Sequence, residues 1–370
     1  MKLRVAVIFG GRSGEHEVSL ASATSVIQNL DPARYEVVPI GITKKGDWLL
    51  DGDPLKALKA GYSPAGQEPA LLSPAPAPDR AVVSSGSGTG LGQTRLAVDV
   101  VFPVLHGPYG EDGTVQGLLE MAGVPYVGAG VLASAAGMDK PTMKALFQQR
   151  GLPIVEHLVL LRKQWESDPT GVMDWIEESL GYPCFTKPAN LGSSVGISKA
   201  SNRTQLAEAL ALAARYDRKL VVERGIDARE IECSVLGNDD PVASVPGEIV
   251  PCNEFYDYRA KYVDDGSQLL IPAPVDPEVT EEIRRVAVEA FKAVDCSGMA
   301  RVDLFLEKGS GKVFVNEINT IPGFTKISMY PKLWEASGLP FPRLLDRLIE
   351  LALERHAEKM QNETSYEVSS

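Results

Sequence analysis

The chain has 370 residues and carries 37 Lys and Arg against 49 Asp and Glu, a formal net charge of −12 at pH 7. This balance repels phosphate polymers and argues against a general nucleic-acid binder, although a local basic pocket for one nucleotide is compatible with it. No apolar run approaches the roughly eighteen residues that a membrane span requires, and the length suits two or three domains. We therefore expect a multi-domain globular protein with neither nucleic acid nor membrane as a partner.

The N-terminus and the cysteines both favour a cytoplasmic location. An apolar, strand-like segment begins at Leu3, and the basic, apolar and small-residue sections of a signal peptide are missing from the sequence. The cysteines are widely spaced without a Cys-x-x-Cys pair, which is typical of reduced core thiols. They are Cys184, Cys233, Cys252 and Cys296.

The first third of the chain alternates strand-like and helical segments, which predicts a Rossmann-like parallel-sheet domain over residues 1–134. The segment 61–92 is rich in Pro, Ala, Gly and Ser and predicts a loop insertion. The predicted order is strand 3–9, glycine-rich turn 10–14, helix 18–30, strand 98–105, helix 115–121 and a short strand at 126–127.

The remainder predicts two α+β subdomains, 135–236 and 237–357, followed by a polar tail at 358–370. Asp139 and Pro141 suit the start of a helix that residues 151–153 close. The predicted elements that follow are strands 155–161, 184–187, 220–223 and 230–236, helix 205–214, an irregular lid at 248–271, a helix capped by Asp276, and a last helix at 342–357.

The strongest local pattern is a pair of strands around the glycine-rich turn 309–311. If these three residues form the loop, Asp303 faces Glu317 and Arg301 faces Asn319, all on one side of the hairpin. Opposed carboxylates destabilise a sheet, and a divalent cation would remove that conflict. Carboxylate and amide oxygens suit Mg²⁺. A solvated hairpin face is the alternative, which a one-residue change in register would favour.

A second pattern is the loop Lys187-Pro-Ala-Asn-Leu-Gly-Ser-Ser-Val-Gly196, which follows a short strand. An ammonium, hydroxyls and backbone N–H groups in a flexible turn can contact phosphate oxygens. By itself this is equally an ordinary Gly-Ser loop. Together with Lys140 and the acidic hairpin, it predicts a nucleotide clamp.

Three weaker patterns complete the predicted site. The end of a strand at 223–226, with Glu230 beyond it, could pair with an adenine edge and a ribose, or be a plain connection. Glu15 and His106 both follow strands, at the sheet edge where open α/β proteins bind ligands. They could therefore face one crevice, although Glu15 could equally be a solvated residue at a helix start.

Together these motifs resemble the ATP-grasp superfamily and, within it, the D-alanine:D-alanine ligases, over nearly the whole chain. The resemblance implies an ATP-grasp fold of α/β and α+β type, preceded by the Rossmann-like domain. The motifs are Gly10-Gly-Arg-Ser-Gly-Glu-His-Glu-Val-Ser19, His106-Gly-Pro-Tyr-Gly-Glu-Asp-Gly113, 187–196, Phe255-Tyr-Asp-Tyr-Arg-Ala-Lys-Tyr262 and Glu317-Ile-Asn-Thr-Ile-Pro-Gly-Phe-Thr325.

The resemblance implies that a homodimer uses ATP and two Mg²⁺ (or Mn²⁺) ions to join two D-alanines through D-alanyl phosphate, for peptidoglycan precursor synthesis. Its implied metal ligands are Asp303, Glu317 and Asn319. Its implied ATP ligands are Lys140, Lys187 and Lys261 for phosphates, Glu223, Arg224, Gly225 and Ile226 for the adenine edge, Glu230 for the ribose, and Phe255 and Phe305 for the ring faces. Its implied substrate residues begin with Glu15, which is linked through Ser193 to Tyr262. Arg301 and the Gly323 N–H would lie at the oxyanion. Ser328 and Met329 would lie at the second carboxylate, and His106 is the remaining substrate residue.

Two other functions are compatible with the same motifs. A D-alanine:D-lactate ligase would form an ester, but Lys261-Tyr262 favours the peptide product because ester-forming relatives tend to lack that tyrosine. A non-catalytic ATP-binding regulator would keep the fold without turnover, and the presence of Glu15, Arg301 and the acidic hairpin argues against it.

Overall fold

The computed structural model describes residues 2–61, 71–72, 81–85, 94–250 and 268–363. Its strands are β1 (Leu3–Gly10), β2 (Tyr35–Ile42), β3 (Trp48–Leu49), β4 (Leu71–Leu72), β5 (Ala81–Ser85), β6 (Thr94–Val98), β7 (Val100–Val104), β8 (His157–Leu161), β9 (Cys184–Pro188), β10 (Ser198–Ala200), β11 (Lys219–Arg224), β12 (Ala228–Gly237), β13 (Val242–Ala243), β14 (Gly247–Val250), β15 (Gln268–Leu270), β16 (Gly298–Glu307) and β17 (Val313–Asn319). Its helices are α1 (His16–Asn29), α2 (Pro54–Lys59), α3 (Thr114–Met121), α4 (Val131–Met138), α5 (Lys140–Gln149), α6 (Arg162–Ser167), α7 (Pro169–Ser179), α8 (Arg203–Tyr216), α9 (Pro277–Ala293), α10 (Met329–Ala336) and α11 (Phe341–Lys359).

The N-terminal sheet has the strand order β3-β2-β1-β7, with β2, β1 and β7 parallel. Residues 5–9 of β1 are almost fully buried, as expected for a parallel strand covered on both faces. The carboxyl ends of β1 and β7 therefore open at one edge, where α1 and the loop after residue 105 begin. This confirms the predicted α/β unit.

Several details of this unit differ from prediction. The elements β2, β3, α2 and α4 were not predicted, and Tyr126 forms an isolated bridge with Val101 in place of the predicted short strand. The apolar run 98–105 is divided at Asp99, whose carboxylate accepts the Arg4 N–H at 2.8 Å. Within the segment 61–92, β4 and β5 pair with β6 in an antiparallel three-stranded sheet, so this part is not a loop. The remaining residues of that segment lie outside the described part of the chain.

The central sheet is antiparallel, with the order β10-β9-β11-β8, and α7 and α8 cover it. Strands β8, β9 and β11 and helix α8 agree with the predicted pattern, but β10, α6 and α7 were not predicted. Asp168 caps α7 by accepting the Gly171 N–H at 2.9 Å, and Pro169 follows in the first turn. This start signal was therefore available in the sequence.

The C-terminal sheet is antiparallel, with the order β15-β14-β12-β16-β17 and β13 paired to β12. The apolar face of α9 packs on it, with Ile283, Val286 and Phe291 fully buried. The cap of α9 differs from prediction, because no cap hydrogen bond from the Asp276 side chain is found among the described residues. The last helix begins one residue earlier and ends two residues later than predicted, so the predicted tail begins inside α11.

The predicted domain limits fall inside secondary structure. Residue 135 lies within α4, and β12 pairs along its whole length with β16, although residues up to 236 were assigned to the central subdomain. Helix α11 returns to the N-terminal sheet, where Leu344 and Leu348 join a core with Val5 and Phe102. No described helix is long and apolar enough to cross a membrane.

Candidate active site

The hairpin of β16 and β17 carries the predicted acidic face. Asp303 lies opposite Glu317, and Arg301 lies opposite Asn319, as predicted. The Arg301 guanidinium donates to both Asp303 oxygens at 2.7 Å, and the Asn319 amide donates to the same carboxylate at 2.9 Å. The alternating pattern of the two strands therefore predicts this cluster correctly.

The turn of this hairpin is longer than predicted. The Glu307 N–H donates to the Lys312 carbonyl at 2.9 Å, so residues 308–311 connect the strands instead of 309–311. A β-bulge beside Asp303 adds Asn316 to the opposite strand. The longer turn and the bulge offset each other, which restores the predicted pairing at the acidic end.

A second carboxylate from the neighbouring strand approaches Arg301. Glu232 of β12 lies opposite Asp303 in the sheet, and its Oε2 is 3.0 Å from the Arg301 Nε. Both side chains are largely buried. Arg301 therefore separates two carboxylates that would otherwise repel each other across the sheet.

The oxygens of Asp303, Glu317 and Asn319 are the hard donors that Mg²⁺ prefers. No cluster of three His, Cys, Asp or Glu residues suited to a metal occurs in the described ranges, so such a site would use the amide oxygen of Asn319 and ligand oxygens as well. The donor set fits Mg²⁺ once Arg301 releases Asp303.

Two buried lysines reach the hairpin from different elements. Lys140, at the start of α5, donates to the Leu191 carbonyl at 2.8 Å and lies 3.5 Å from Glu317. Lys187, at the end of β9, donates to Glu223 at 2.7 Å. Burial lowers the pKa of Lys187, but the negative charges of Glu223 and Glu317 outweigh it and raise the pKa. Both lysines stay in position to contact phosphate oxygens beside the hairpin.

The residues of the predicted adenine-binding segment, 223–226, differ in their exposure to solvent. Glu223 is 3% exposed, whereas Arg224 is exposed and lies 3.4 Å from Glu156. The Gly225 N–H donates to the Pro183 carbonyl at 2.7 Å, and Ile226 is half-buried beside it. At Arg224 only the backbone is suited to a ligand, so its side chain is not part of the predicted contact.

Glu230 and Phe305 are directly opposite each other on β12 and β16. Two-residue alternation along β16 puts Phe305 on the same face as Asp303. The negative charge of Glu230 also raises the pKa of Lys187, so Glu230 acts on a predicted phosphate contact. The ribose and ring-face roles of this pair stay predictions.

Three loops that are distant in sequence meet at Glu15. The Ser193 hydroxyl donates to the Glu15 carboxylate. A Cβ atom on Gly107 would lie 2.8 Å from Glu15 Oε2, and one on Gly192 would lie 2.9 Å from it. Only glycine fits at these two positions without displacing the carboxylate, because a contact below 3.0 Å requires one of the groups to move. Ser193 has a positive φ of 49°, a conformation uncommon outside glycine.

His106 is buried and bridges the N-terminal and C-terminal units. Its Nδ1 donates to the Ile321 carbonyl at 3.0 Å, and its Nε2 lies 3.2 Å from the Ser22 hydroxyl, which accepts the Phe324 N–H. Burial lowers the pKa of His106, although the Glu15 charge opposes this effect. A neutral ring with the proton on Nδ1 satisfies all three contacts.

Glu111 was not predicted as a functional residue. Its carboxylate accepts the Gly107 N–H at 2.6 Å and the Ile321 N–H at 3.3 Å. Burial and the nearby charge of Glu15 raise the pKa of Glu111 to about 8. Glu111 lies within the motif at 106–113, so the sequence predicted a functional segment here but not the backbone contacts of Glu111.

Ser328 and Gly323 lie together at the start of α10. A Cβ on Gly323 would be 2.7 Å from the Ser328 hydroxyl, which accepts the Thr325 N–H at 3.0 Å. Backbone N–H groups at a helix start suit a carboxylate. The Met329 side chain instead packs with Ile249, so only its backbone can serve the predicted carboxylate contact.

Phe255, Lys261 and Tyr262, with most of the predicted lid, lie outside the described residues. Sequence reasoning also missed Lys144 and Glu232. Lys144 follows Lys140 by one helical turn and Glu232 follows Glu230 by two strand positions, so each spacing indicated a shared face.

Comparison with known proteins gives two family-model matches. The model described as D-ala D-ala ligase N-terminus matches residues 4–129, and the model described as D-ala D-ala ligase C-terminus matches residues 146–350. A D-alanine–D-alanine ligase of Heliobacterium modesticaldum is 56% identical over 364 residues, which cover 98% of each chain. One from a Thermoanaerobacter species is 56% identical over 359 residues, covering 97% of this chain and 98% of the relative.

Solved structures give the same result. The D-alanine–D-alanine ligase from Coxiella burnetii has a TM-score of 0.82 and 40% identity, over 97% of this chain and 96% of that one. The VanG D-Ala:D-Ser ligase from Enterococcus faecalis has a TM-score of 0.81 and 38% identity, over 95% of this chain and 100% of that one. Sequence and fold therefore point to one family along nearly the full length.

Proposed function

This chain belongs to the D-alanine–D-alanine ligase family and is a ligase, and from that premise we propose how its residues divide the work of joining two D-alanines with ATP. The supporting observation is that contacts join three groups: the acidic hairpin, the lysines at 140 and 187, and the loops that converge on Glu15. Lys140 lies near Glu317 and donates to the Leu191 carbonyl, and Ser193 of the same loop donates to Glu15. Each group suits a different part of the reaction.

Lys140 and Lys187 would hold the phosphates of ATP, and Asp303, Glu317 and Asn319 would hold two Mg²⁺ or Mn²⁺ ions. The bound metal supplies positive charge to the transferring phosphate. If Asp303 held a cation, it would give up much of its interaction with the Arg301 guanidinium. Arg301 would then be available to the substrate.

The first D-alanine lies with its ammonium at Glu15 and its carboxylate toward Arg301. A carboxylate does not react with amines until one oxygen becomes a good leaving group. Its oxygen therefore attacks the γ-phosphorus, forming an O–P bond as the bond to ADP breaks, and gives D-alanyl phosphate. The Ser193 contact supports Glu15 in this role.

The second D-alanine lies with its carboxylate at Ser328 and the start of α10. After losing a proton, its amine attacks the carbonyl carbon, and phosphate leaves as the C–O bond breaks. Arg301 and the Gly323 N–H stabilise the oxyanion, where one donor is worth about 10² to 10³ in rate. His106 and Glu111 keep the loops around both substrates in place through their backbone contacts.

Two finer features are also proposals. The chain acts in the cytoplasm, in agreement with free buried thiols at Cys184, Cys233 and Cys296. It forms a homodimer through neighbouring helices α3 and α4, on which Met121 and Leu132 are 65% and 62% exposed. Exposed apolar groups on adjacent helices are typical of a subunit contact, and twofold pairing is its commonest form.

A substrate screen tests the proposed reaction. The chain is incubated with ATP, Mg²⁺ and D-alanine alone, or with D-alanine plus D-serine or D-lactate, and phosphate release and products are measured, with L-alanine as the control. We expect D-alanyl-D-alanine as the main product. Dominant ester at neutral pH would assign the chain to D-alanine:D-lactate ligation, and dominant D-alanyl-D-serine would assign it the reaction named for VanG. Lack of phosphate release in every mixture would instead support the ATP-binding regulator.

Glu317→Gln tests the metal role. It keeps the side-chain size but removes a charge from the ligand set, which should lower kcat by about 100-fold because roughly 3 kcal/mol of charge stabilisation is lost. Mn²⁺ binding measured by calorimetry should weaken in parallel. Glu307→Gln, at the other end of the same strand pair, is the matched control and should keep both properties.

A further inference from the structure

Lys144 is a fully buried lysine to which the reaction described above gives no role. It lies on α5, one turn after Lys140, and its side chain is 1% exposed. Its Nζ lies 3.0 Å from Glu223 Oε1 and 3.4 Å from the Asn316 carbonyl oxygen. Burying an ammonium costs several kcal/mol unless it is paired and hydrogen-bonded, so the position is unfavourable without these partners.

Glu223 lies between two lysines that also share Asn316. Lys187 contacts Glu223 Oε2 at 2.7 Å and the Asn316 side-chain oxygen at 3.3 Å, whereas Lys144 contacts the other carboxylate oxygen and the Asn316 backbone. Asn316 is the extra residue of the β-bulge, so its carbonyl is not used in pairing across the hairpin. The bulge therefore supplies both lysines with an oxygen partner beside Glu317.

The two lysines differ in what they can reach. Lys187 lies at the end of β9, just before the Gly-Ser loop, and the charge of Glu317 acts on it, so it can turn to an ATP phosphate. Lys144 lies behind Glu223, enclosed by α5 and the hairpin. Lys144 is therefore placed to stay on Glu223 if a ligand phosphate draws Lys187 away. Burial lowers the pKa of Lys144, and the charge of Glu223 opposes this effect.

The carboxylate keeps accepting capacity beyond its two lysine contacts, because its oxygens together offer roughly four lone-pair sites. Glu223 Oε1 is buried 3.0 Å from the Lys144 ammonium, and Oε2 lies 2.7 Å from Lys187. Burial raises the pKa of Glu223, but the two lysines outweigh it and hold the pKa far below its usual range. An ionised carboxylate only accepts hydrogen bonds, so a ligand group facing it must be a donor.

We propose that Lys144 is a specificity-determining positioning residue, which holds Glu223 as the acceptor that selects 6-amino purine over 6-oxo purine nucleotides. The inference rests on the proposed ATP site at the end of β11. The 6-amino group of adenine donates to Glu223, whereas the 6-oxo group of hypoxanthine would bring a second acceptor against the carboxylate. A site built to pair with a donor rejects an analogue that lacks it, because its buried group is left unpaired.

The test compares Lys144→Met, which removes the charge at similar length, with Lys144→Arg, which keeps it, and with Lys163→Met at an exposed lysine. Phosphate release with saturating D-alanine is measured with ATP and with ITP, and binding of ADP and IDP is measured by calorimetry. Lys144→Met should lower the ATP-to-ITP ratio of kcat/KM at least tenfold, mainly through KM for ATP, with kcat changed less than threefold. Lys144→Arg should restore most of the ratio, and Lys163→Met should leave it unchanged.

The outcomes separate this inference from the proposed function. Wild-type protein that releases no phosphate with ATP and D-alanine would overturn the proposed function. Active wild type with the same ATP-to-ITP ratio in Lys144→Met would overturn the positioning role alone, even if both nucleotides bind more weakly. If Lys144→Met does not fold, Lys144→Gln decides, because it removes the charge but keeps a polar group at the buried position. An unchanged ratio in that variant would overturn the proposal, and a lowered ratio supports it.

Discussion

Replacement of Glu111 by glutamine should change how the stability of the protein depends on pH. Burial and the Glu15 charge raise the pKa of Glu111 from 4.5 to about 8. Between these values the folded chain holds a proton that the unfolded chain has released. The stability of the wild type should therefore fall as pH rises from about 4.5 to about 8, by up to about 1.4 kcal/mol per pH unit.

Glutamine at position 111 carries no such proton, so the variant lacks this pH dependence. Its amide nitrogen cannot accept a backbone N–H, and one of the contacts to Gly107 and Ile321 is lost, at a cost of about 1 kcal/mol. The variant should therefore be slightly less stable than wild type at pH 4.5 and about 3 kcal/mol more stable at pH 8. The two stability curves should cross between these pH values.

Urea unfolding followed by tryptophan fluorescence, at constant ionic strength from pH 4.5 to 9, measures this difference. Glu120→Gln is the matched control. Burial raises the pKa of Glu120, but its bonds with Lys359 and Tyr126 outweigh this and lower the pKa. The stabilisation by ionised Glu120 is present above its unfolded pKa and lost only in acid. The difference in stability between wild type and Glu120→Gln should therefore stay flat from pH 6 to 8. Parallel curves for wild type and Glu111→Gln over the same range would refute the buried, protonated carboxyl.

Three further outcomes are expected. Glu232→Gln weakens the contact that supports Arg301, so in steady-state assays kcat/KM for D-alanine should fall about 10- to 100-fold while KM for ATP stays nearly unchanged. Equal losses for both substrates would contradict this role of Glu232. Phe324→Ala removes a buried ring that packs on Phe102, Tyr330 and Phe341 and should lower the unfolding free energy by about 3–5 kcal/mol in urea, whereas a loss below about 1 kcal/mol would oppose this packing. Leu132→Asp should convert a dimer to monomers in sedimentation experiments, whereas Val242→Asp, at another exposed apolar position, should not. A Leu132→Asp variant that stays dimeric would exclude the α3–α4 face as the subunit contact.

Much of the acidic hairpin could be predicted because strand alternation is local. Residues two apart point to one face, so the pattern around Asp303 and Glu317 indicates their shared side once a turn is assumed. The turn length was wrong by one residue, and the bulge at Asn316 was not predicted. Neither error is visible in the alternation alone, because the two shifts cancel at the acidic end and appear only in the hydrogen bonds between the strands.

The cap signals were equally local but were not all used. Asp139-Lys-Pro predicted the start of α5, and the structure confirms that the Asp139 side chain accepts the Thr142 N–H at 3.0 Å. The same type of signal at Asp168-Pro169 marks α7, which was not predicted. At Asp276 the sequence signal is present without the side-chain bond. Such signals locate a helix start better than they predict its contacts.

The sequence by itself determined the alternating strands, the order of the units and the residue types of the acidic hairpin, since these follow from spacing along the chain. Only the tertiary structure decided that Gly107 and Gly192 close on Glu15, that Glu232 shares Arg301 with Asp303, and that Lys144 lies behind Glu223. These neighbours come from elements that are far apart along the chain. Their distances depend on how the sheets stack and where a single bulge falls, and no local periodicity carries that information.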